Sequence, residues 1–343
     1  MDLYRLGAAP WLDSQLLYHA LPRRGRSGLV LLAPDAPYVC VGYHQDVERA
    51  INLSYCEEAG IPVFRREVGG RAGYFDGQQA FFQLALPKRH ELLTGSREAW
   101  YARVLQPVIE ALRTLGLAAE YAALNTVVVG GAEVAEMGMA EIADAVVFTG
   151  HINVALDTET LLHLLQPAEV AVLPPQTSLT ALLETPPSMT QVYVLLETHF
   201  AAQLGLLEQR EVDETLRNEA EYLGRRMLSR AWLYRRGRPP LITTGGGLRS
   251  GGSVHHGQHQ APGGLVHASV SFDEERIVKI SFAGNFFAYP PEAISWLEQA
   301  LEGTWAYDAE YALDQVYAAM PMEVPGVEPK DWAQAIPVNV LEW

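Results

Sequence analysis

The chain has 343 residues, 49% hydrophobic and 19% charged, with 41 acidic against 25 basic side chains for a net charge of −16. This is globular composition that excludes disorder, and the acidic excess opposes non-specific binding to nucleic acid or membranes. No apolar run approaches the ~18 residues of a membrane span, and two cysteines, Cys40 and Cys56, exclude a disulfide framework or a four-cysteine zinc site.

In chain order, residues 28–33, 38–41 and 62–64 predict short buried strands, broken by Pro34, Pro37 and Gly60. Residues 80–86 predict another strand, closed by Pro87. The clearest helix is predicted over 97–115: Ser96 can cap it, Trp100, Val104, Val108, Leu112 and Leu115 share one face, and Gly116 ends it. Strands are predicted at 125–129 and 146–156 with a loop between them. A proline- and leucine-rich crossing segment at 167–187 follows, and then a second helix over 213–235. Between residues 245 and 264, eight of twenty residues are glycine and His255, His256 and His259 are present, which reads as a solvated hinge. A hairpin of strands 265–272 and 277–282 and a helix from Pro291 to about residue 301 complete the pattern. The expected division is a large α+β domain at 1–238, a Gly/His-rich hinge at 239–261, and a small α+β domain with a proline-rich tail at 262–343. The first ten residues lack a charged-then-apolar signal, so the expected location is the cytoplasm.

Three segments carry candidate chemistry. Arg65-Arg66-Glu67-Val68-Gly69-Gly70 follows a predicted strand; glycines let backbone approach a ligand closely, and arginine forks suit phosphate or carboxylate. Gly42-Tyr43-His44-Gln45 follows another strand. Asn125 opens a strand that runs into Gly130-Gly131, which taken alone is a hairpin. Cys40 reads as a buried structural cysteine, and the three histidines lack ligands to complete a metal site.

Taken together and in order, these blocks resemble the lipoate-protein ligase A family of the biotin/lipoate ligase and octanoyltransferase superfamily. Thr149-Gly150 and the stretch from Gly264-Leu265-Val266 through Lys279 to Gly284-Asn285-Phe286-Phe287 add to the likeness, the latter resembling the family's accessory C-terminal domain. The resemblance implies a large mixed-sheet catalytic domain. It also implies activation of lipoate or octanoate by ATP, with Mg2+, as an acyl-adenylate. Transfer then goes to a lysine on lipoyl domains of 2-oxoacid dehydrogenase E2 subunits or the glycine-cleavage H protein. Carried over, the acyl-AMP contacts are Gly42, His44, Arg65, Arg66, Gly69, Gly70, Asn125 and Gly150. One departure bears on activity: Glu133 stands where the family has its lysine, and Glu136 where it has a glycine. Lys88, Lys279 and Lys330 are the only lysines, and none is adjacent. A non-catalytic acyl- or lipoyl-domain-binding homologue and a lipoyl/octanoyl transferase are therefore the alternatives to a ligase.

Overall fold

The computed structural model describes residues 1–122, 124–236 and 254–340. Its centre is an eight-stranded mixed sheet in the order β11-β1-β2-β6-β10-β9-β8-β7. The strands are β1 (Asp2–Ala9), β2 (Gly28–Pro34), β6 (Gln79–Pro87), β7 (Ala119–Ala122), β8 (Thr126–Val129), β9 (Ala132–Ile142), β10 (Ala145–Asn153) and β11 (Glu208–Gln209). β3 (Tyr38–Val41), β4 (Val63–Arg65) and β5 (Gly73–Phe75) form a small second sheet with β3 central. Every residue of β2 and β3 is buried, as continuous apolar runs require.

Helices Asp13–Arg23, Arg97–Thr114, Met189–Leu204 and Glu214–Met227 supply Leu16, Leu17, Val104, Val108, Leu112, Leu196, Phe200, Leu216 and Leu223 to the main core. Ser96 caps the second of them by accepting the Ala99 N–H, as its position predicts. Among the described residues no helix is long and apolar enough to cross a membrane.

Four expectations need correction. The stretch between the strands predicted at 125–129 and 146–156 is no loop: it is β9, paired with β8 through Gly130 and Gly131, both at positive φ. The helix expected over 213–235 breaks after Met227, and a short turn, Arg230–Leu233, follows once Ser229 caps it. Of the expected hinge, residues 239–253 lie outside the described residues, but Val254–Ala261 is a strand, β12, paired along its length with β13 (Gly264–Asp273), which in turn pairs with β14 (Arg276–Gly284). The proline-rich tail is likewise folded. Helix Pro329–Ala335 buries Trp332 completely against Phe282 and Phe286 in a second core of its own.

That second core is joined to the first by the segment after β14. Gly284 N–H donates to the His44 carbonyl (3.0 Å), Gly70 N–H donates to the Phe286 carbonyl (3.1 Å), and Phe287 belongs to the main core.

Candidate functional site

The two arginines of the glycine turn have opposite fates, because successive residues of an extended chain point to opposite sides. Arg65 ends β4, is fully buried, and donates to four carbonyl oxygens, those of Gly42, Tyr43, Gln45 and Leu233. It is scaffold. Arg66 turns the other way, onto the wall of a cavity of about 250 Å³. Its guanidinium donates to the carbonyls of Gly69 (2.6 Å) and Arg71 (2.9 Å) and stands 3.7 Å from Cys40 Sγ.

The glycines are explained by chain packing. A Cβ on Gly42 would stand 2.0 Å from the Gly70 carbonyl oxygen, and one on Gly69 would stand 2.8 Å from that of Phe286. Gly70 has φ +88° and borders the cavity. His44 is not at this cavity. It is 2% exposed, stacks on Phe286, and faces a smaller cavity of about 180 Å³ behind the turn; burial first, then Arg236, Arg235 and Arg65, hold its imidazole neutral.

The opposite wall is made by β9 and β10. Gly150 lies on it, where a Cβ would meet Phe82 at 2.3 Å and the Glu136 carbonyl at 2.7 Å. Asn125 also borders the cavity and clamps β9, its side chain donating to the Met137 carbonyl (2.8 Å) while its own carbonyl accepts from Met137 N–H (2.9 Å). Glu133 and Glu136, three apart, would face opposite sides of a regular strand. A register shift opposite Val127 and Val128 inserts one extra residue into β9 there, and both carboxylates reach the same guanidinium nitrogen of Arg71. Glu136 is 2.6 Å from it.

Burial pushes the Glu133 carboxyl up, with Arg71 pulling against it. On Glu136 burial acts the same way, but Arg71, with His151 and Arg66, outweighs it and keeps the carboxyl below its ordinary value. A third carboxylate, Glu169, is 4% exposed and accepts from Gln45 and Asn285; burial raises it too. Among the described residues the cavity therefore sets two arginines against three carboxylates. Lys88 cannot correct the balance, since it pairs with Glu141 at 3.0 Å and is not on the cavity wall.

The structure thus brings Arg66, Gly70, Asn125, Glu133 and Gly150 to one cavity. Gly42, His44, Arg65 and Gly69 form its support. Arg71, Thr149, His151 and Asn285 join it from within or beside the motifs read in the sequence, and Gln15 and Glu169 from elements on which the sequence pattern gave no reason to single them out. Cys40, expected to be merely structural, lies on the cavity wall, its thiol pushed up by burial against the pull of Arg66. Cys56 is buried in a separate cluster, its thiol pushed up to about 11 by burial.

The histidines placed in a solvated linker are strand residues. His256 bonds Ser269 Oγ (3.0 Å), and His259 bonds Asp331 (3.2 Å). Among the described residues no group of three His, Cys, Asp or Glu side chains could hold a metal ion. The two carboxylates nearest Arg71 are already engaged, so the residues present do not fit a protein-held Mg2+.

Residues 10–201, more than half of the chain, match a family profile described as the lipoyl protein ligase A/B catalytic domain. Among curated proteins, the chain is 27% identical over 111 residues to octanoyltransferase LipM of Carboxydothermus hydrogenoformans, covering 32% of this chain and 41% of that protein. It is 32% identical over 105 residues to lipoate-protein ligase LplJ of Bacillus subtilis, covering 31% of this chain and 30% of that one. These matches span less than half the length of either relative. Among solved structures, the LipL1 protein of P. falciparum in complex with lipoate superposes with a TM-score of 0.72 at 14% identity, covering 99% of both chains. At that identity the likeness establishes the fold.

Proposed function

Since the chain belongs to the lipoyl protein ligase A/B catalytic-domain family, we propose that its cavity holds a lipoyl or octanoyl group and delivers it to a lysine of a lipoyl domain. The acyl group would come from a donor already activated as a neutral thioester, rather than from free acid activated with ATP. The observation that carries this reading is Arg71 clasped between Glu133 and Glu136. ATP and a fatty carboxylate together bring several negative charges to a cavity that already has a surplus of one. Each unit charge misplaced at about 4 Å costs on the order of 1–4 kcal/mol. A thioester brings none.

In the reaction the lysine nitrogen forms its bond to the acyl carbon, the carbon–sulfur bond breaks, and the thiolate leaves. The attacking ammonium must first shed a proton. Glu133, with its side chain 12% exposed and its carboxyl moved upward, is suited to take that proton and pass it to the departing sulfur, while the second proton that the nitrogen loses as the amide forms goes to solvent. Arg66 supplies a fixed positive charge for the carbonyl oxygen as it becomes anionic. A second reading makes Cys40 a carrier of the acyl group, favoured by its place on the wall beside Arg66. The thiol's upward shift argues against it. A cytoplasmic location belongs to the same proposal.

The test offers a purified lipoyl domain two donors, lipoate with ATP and Mg2+, or an octanoyl thioester. Mass spectrometry reads the domain and a coupled assay reads pyrophosphate. Acylation from the thioester alone is expected. Robust lipoate-dependent pyrophosphate release would overturn the reading in favour of a ligase, and loss of transfer in Cys40→Ser would favour the thiol route.

A further inference from the structure

One buried side chain behind the cavity makes a contact that neither the cavity wall nor the core packing calls for. His19 lies on the inner face of helix Asp13–Arg23 and is fully buried. Its Nδ1 faces the Gln15 carbonyl, which can only accept, and its Nε2 lies 3.2 Å from the Glu67 backbone N–H, which can only donate. The two partners together require a neutral ring protonated at Nδ1, with a bare Nε2 as acceptor. Glu67 is the residue directly after Arg66.

The rest of the arrangement closes around this bond. Arg23 donates to the His19 carbonyl (2.9 Å) and to the Glu67 carboxylate (2.6 Å), and Arg226 from helix Glu214–Met227 reaches the other oxygen of Glu67. On the far side of the same turn Arg66 gathers the Gly69 and Arg71 carbonyls inward. Of the backbone groups that pin the turn from Arg66 to Gly70, Arg66 N–H is held by the Val41 carbonyl, the Val68 carbonyl by Tyr43 N–H, and Gly70 N–H by the Phe286 carbonyl. Of these N–H donors, those of Arg66 and Gly70 go to backbone carbonyls, whereas that of Glu67 goes to a side chain.

We infer that His19 is a positioning residue: its neutral Nε2 fixes the Glu67 peptide and thereby the direction in which Arg66 enters the cavity. The imidazole suits the place because one ring donates backward to its own helix and accepts forward from the turn, and of these two roles the turn needs only the acceptor at the place of Nε2. The inference rests on reading the cavity as the acyl site only as regards what Arg66 then contacts. The bond to Glu67 is independent of that reading.

The experiment compares His19→Gln, His19→Asn and His19→Leu. A glutamine terminus reaches the place of Nε2, whereas an asparagine reaches only that of Nδ1. Amide hydrogen exchange at Glu67 is measured in each folded variant, together with affinity for a neutral octanoyl-pantetheine thioether. Expected are wild-type-like Glu67 protection and affinity in His19→Gln. In His19→Asn, Glu67 exchange should be at least tenfold faster and the analogue several-fold weaker, at a melting temperature close to that of the glutamine variant. His19→Leu should follow the asparagine variant. If it does not fold, the Asn–Gln pair decides alone. Equal Glu67 protection in His19→Asn and His19→Gln overturns the inference. Failure of the wild-type protein to bind the thioether would instead sink the acyl reading and leave the exchange comparison standing.

Discussion

The two walls of the cavity are built on different principles. The wall around the turn from Arg65 to Gly70 is fixed by contacts in which nothing has room to change. A Cβ on Gly42 or Gly69 strikes backbone oxygen, Arg65 spends its guanidinium on four carbonyls, and the second core presses Phe286 and Phe287 onto the turn. The wall on β9 is set by charge. Glu133 and Glu136 share Arg71 through a bulge, and their side chains keep some access to solvent. Substitutions in the first wall should therefore cost stability, and substitutions in the second should change which ligands are accepted.

The largest effect is expected from Arg65→Leu. The leucine fills part of the volume but leaves the carbonyls of Gly42, Tyr43, Gln45 and Leu233 without their donor. At about 1–3 kcal/mol for each buried unsatisfied group, with partial relaxation, the loss should be about 3 kcal/mol or more. Urea denaturation checks it. A loss under about 1 kcal/mol would mean that water replaces the guanidinium and that the turn is not held from within.

Of similar total size, but divided among three rings, is the response to acid. His19 and His151 are held down to about 4 by burial, and so is His267, whose ring nitrogens have no partner among the described atoms. An imidazole with a depressed pKa stays neutral in the fold. Between its ordinary value of 6.5 and about 4, the unfolded chain binds a proton that the native chain refuses. The stabilisation is therefore whole above pH 6.5 and drains as pH falls toward 4. Each of the three should contribute a loss on the order of 1–2 kcal/mol between pH 7.5 and pH 5. Denaturation midpoints measured across that range test the sign. A flat profile would show that these rings find proton acceptors when charged.

What the sequence disclosed follows the same division. The helix at Arg97–Thr114, its Ser96 cap and the strands β2, β3 and β6 were legible because apolar spacing and breakers agree locally. β9 was misread because its strand pattern is interrupted by Glu133, Glu136 and a bulge, and its stability comes from pairing with β8 and β10. β12 was misread for a related reason. It is an edge strand of glycine, histidine and glutamine, stabilised by backbone bonds to β13, and its Gly257 marks a close approach, 2.2 Å from a Cβ to the Ala335 carbonyl. That Arg65 and Arg66 would part company was implicit in the pleat. Which of them would face the cavity depends on the partner β3, which only the fold supplies.

The smallest change in stability, and the sharpest test of the charged wall, is expected from Glu133→Gln. Arg71 keeps Glu136 at 2.6 Å, and a glutamine oxygen can still accept from it, so the native state should shift by less than about 1 kcal/mol. The cavity, however, moves from one surplus negative charge to balance. A bound octanoate anion should then gain about 1 kcal/mol or somewhat more, roughly five- to tenfold in affinity, while a neutral octanoyl thioether should bind as before. Glu133→Lys goes one charge further and should extend the gain for the anion. Calorimetric titration of both ligands into both variants separates the causes. A gain for octanoate alone, smaller in high salt, is the signature of charge. An equal gain for the two ligands would mean that the glutamate obstructs the cavity by its shape. No gain for either would mean that Arg71, once released from Glu133, closes on Glu136 and Glu169 and leaves the anion no better placed than before.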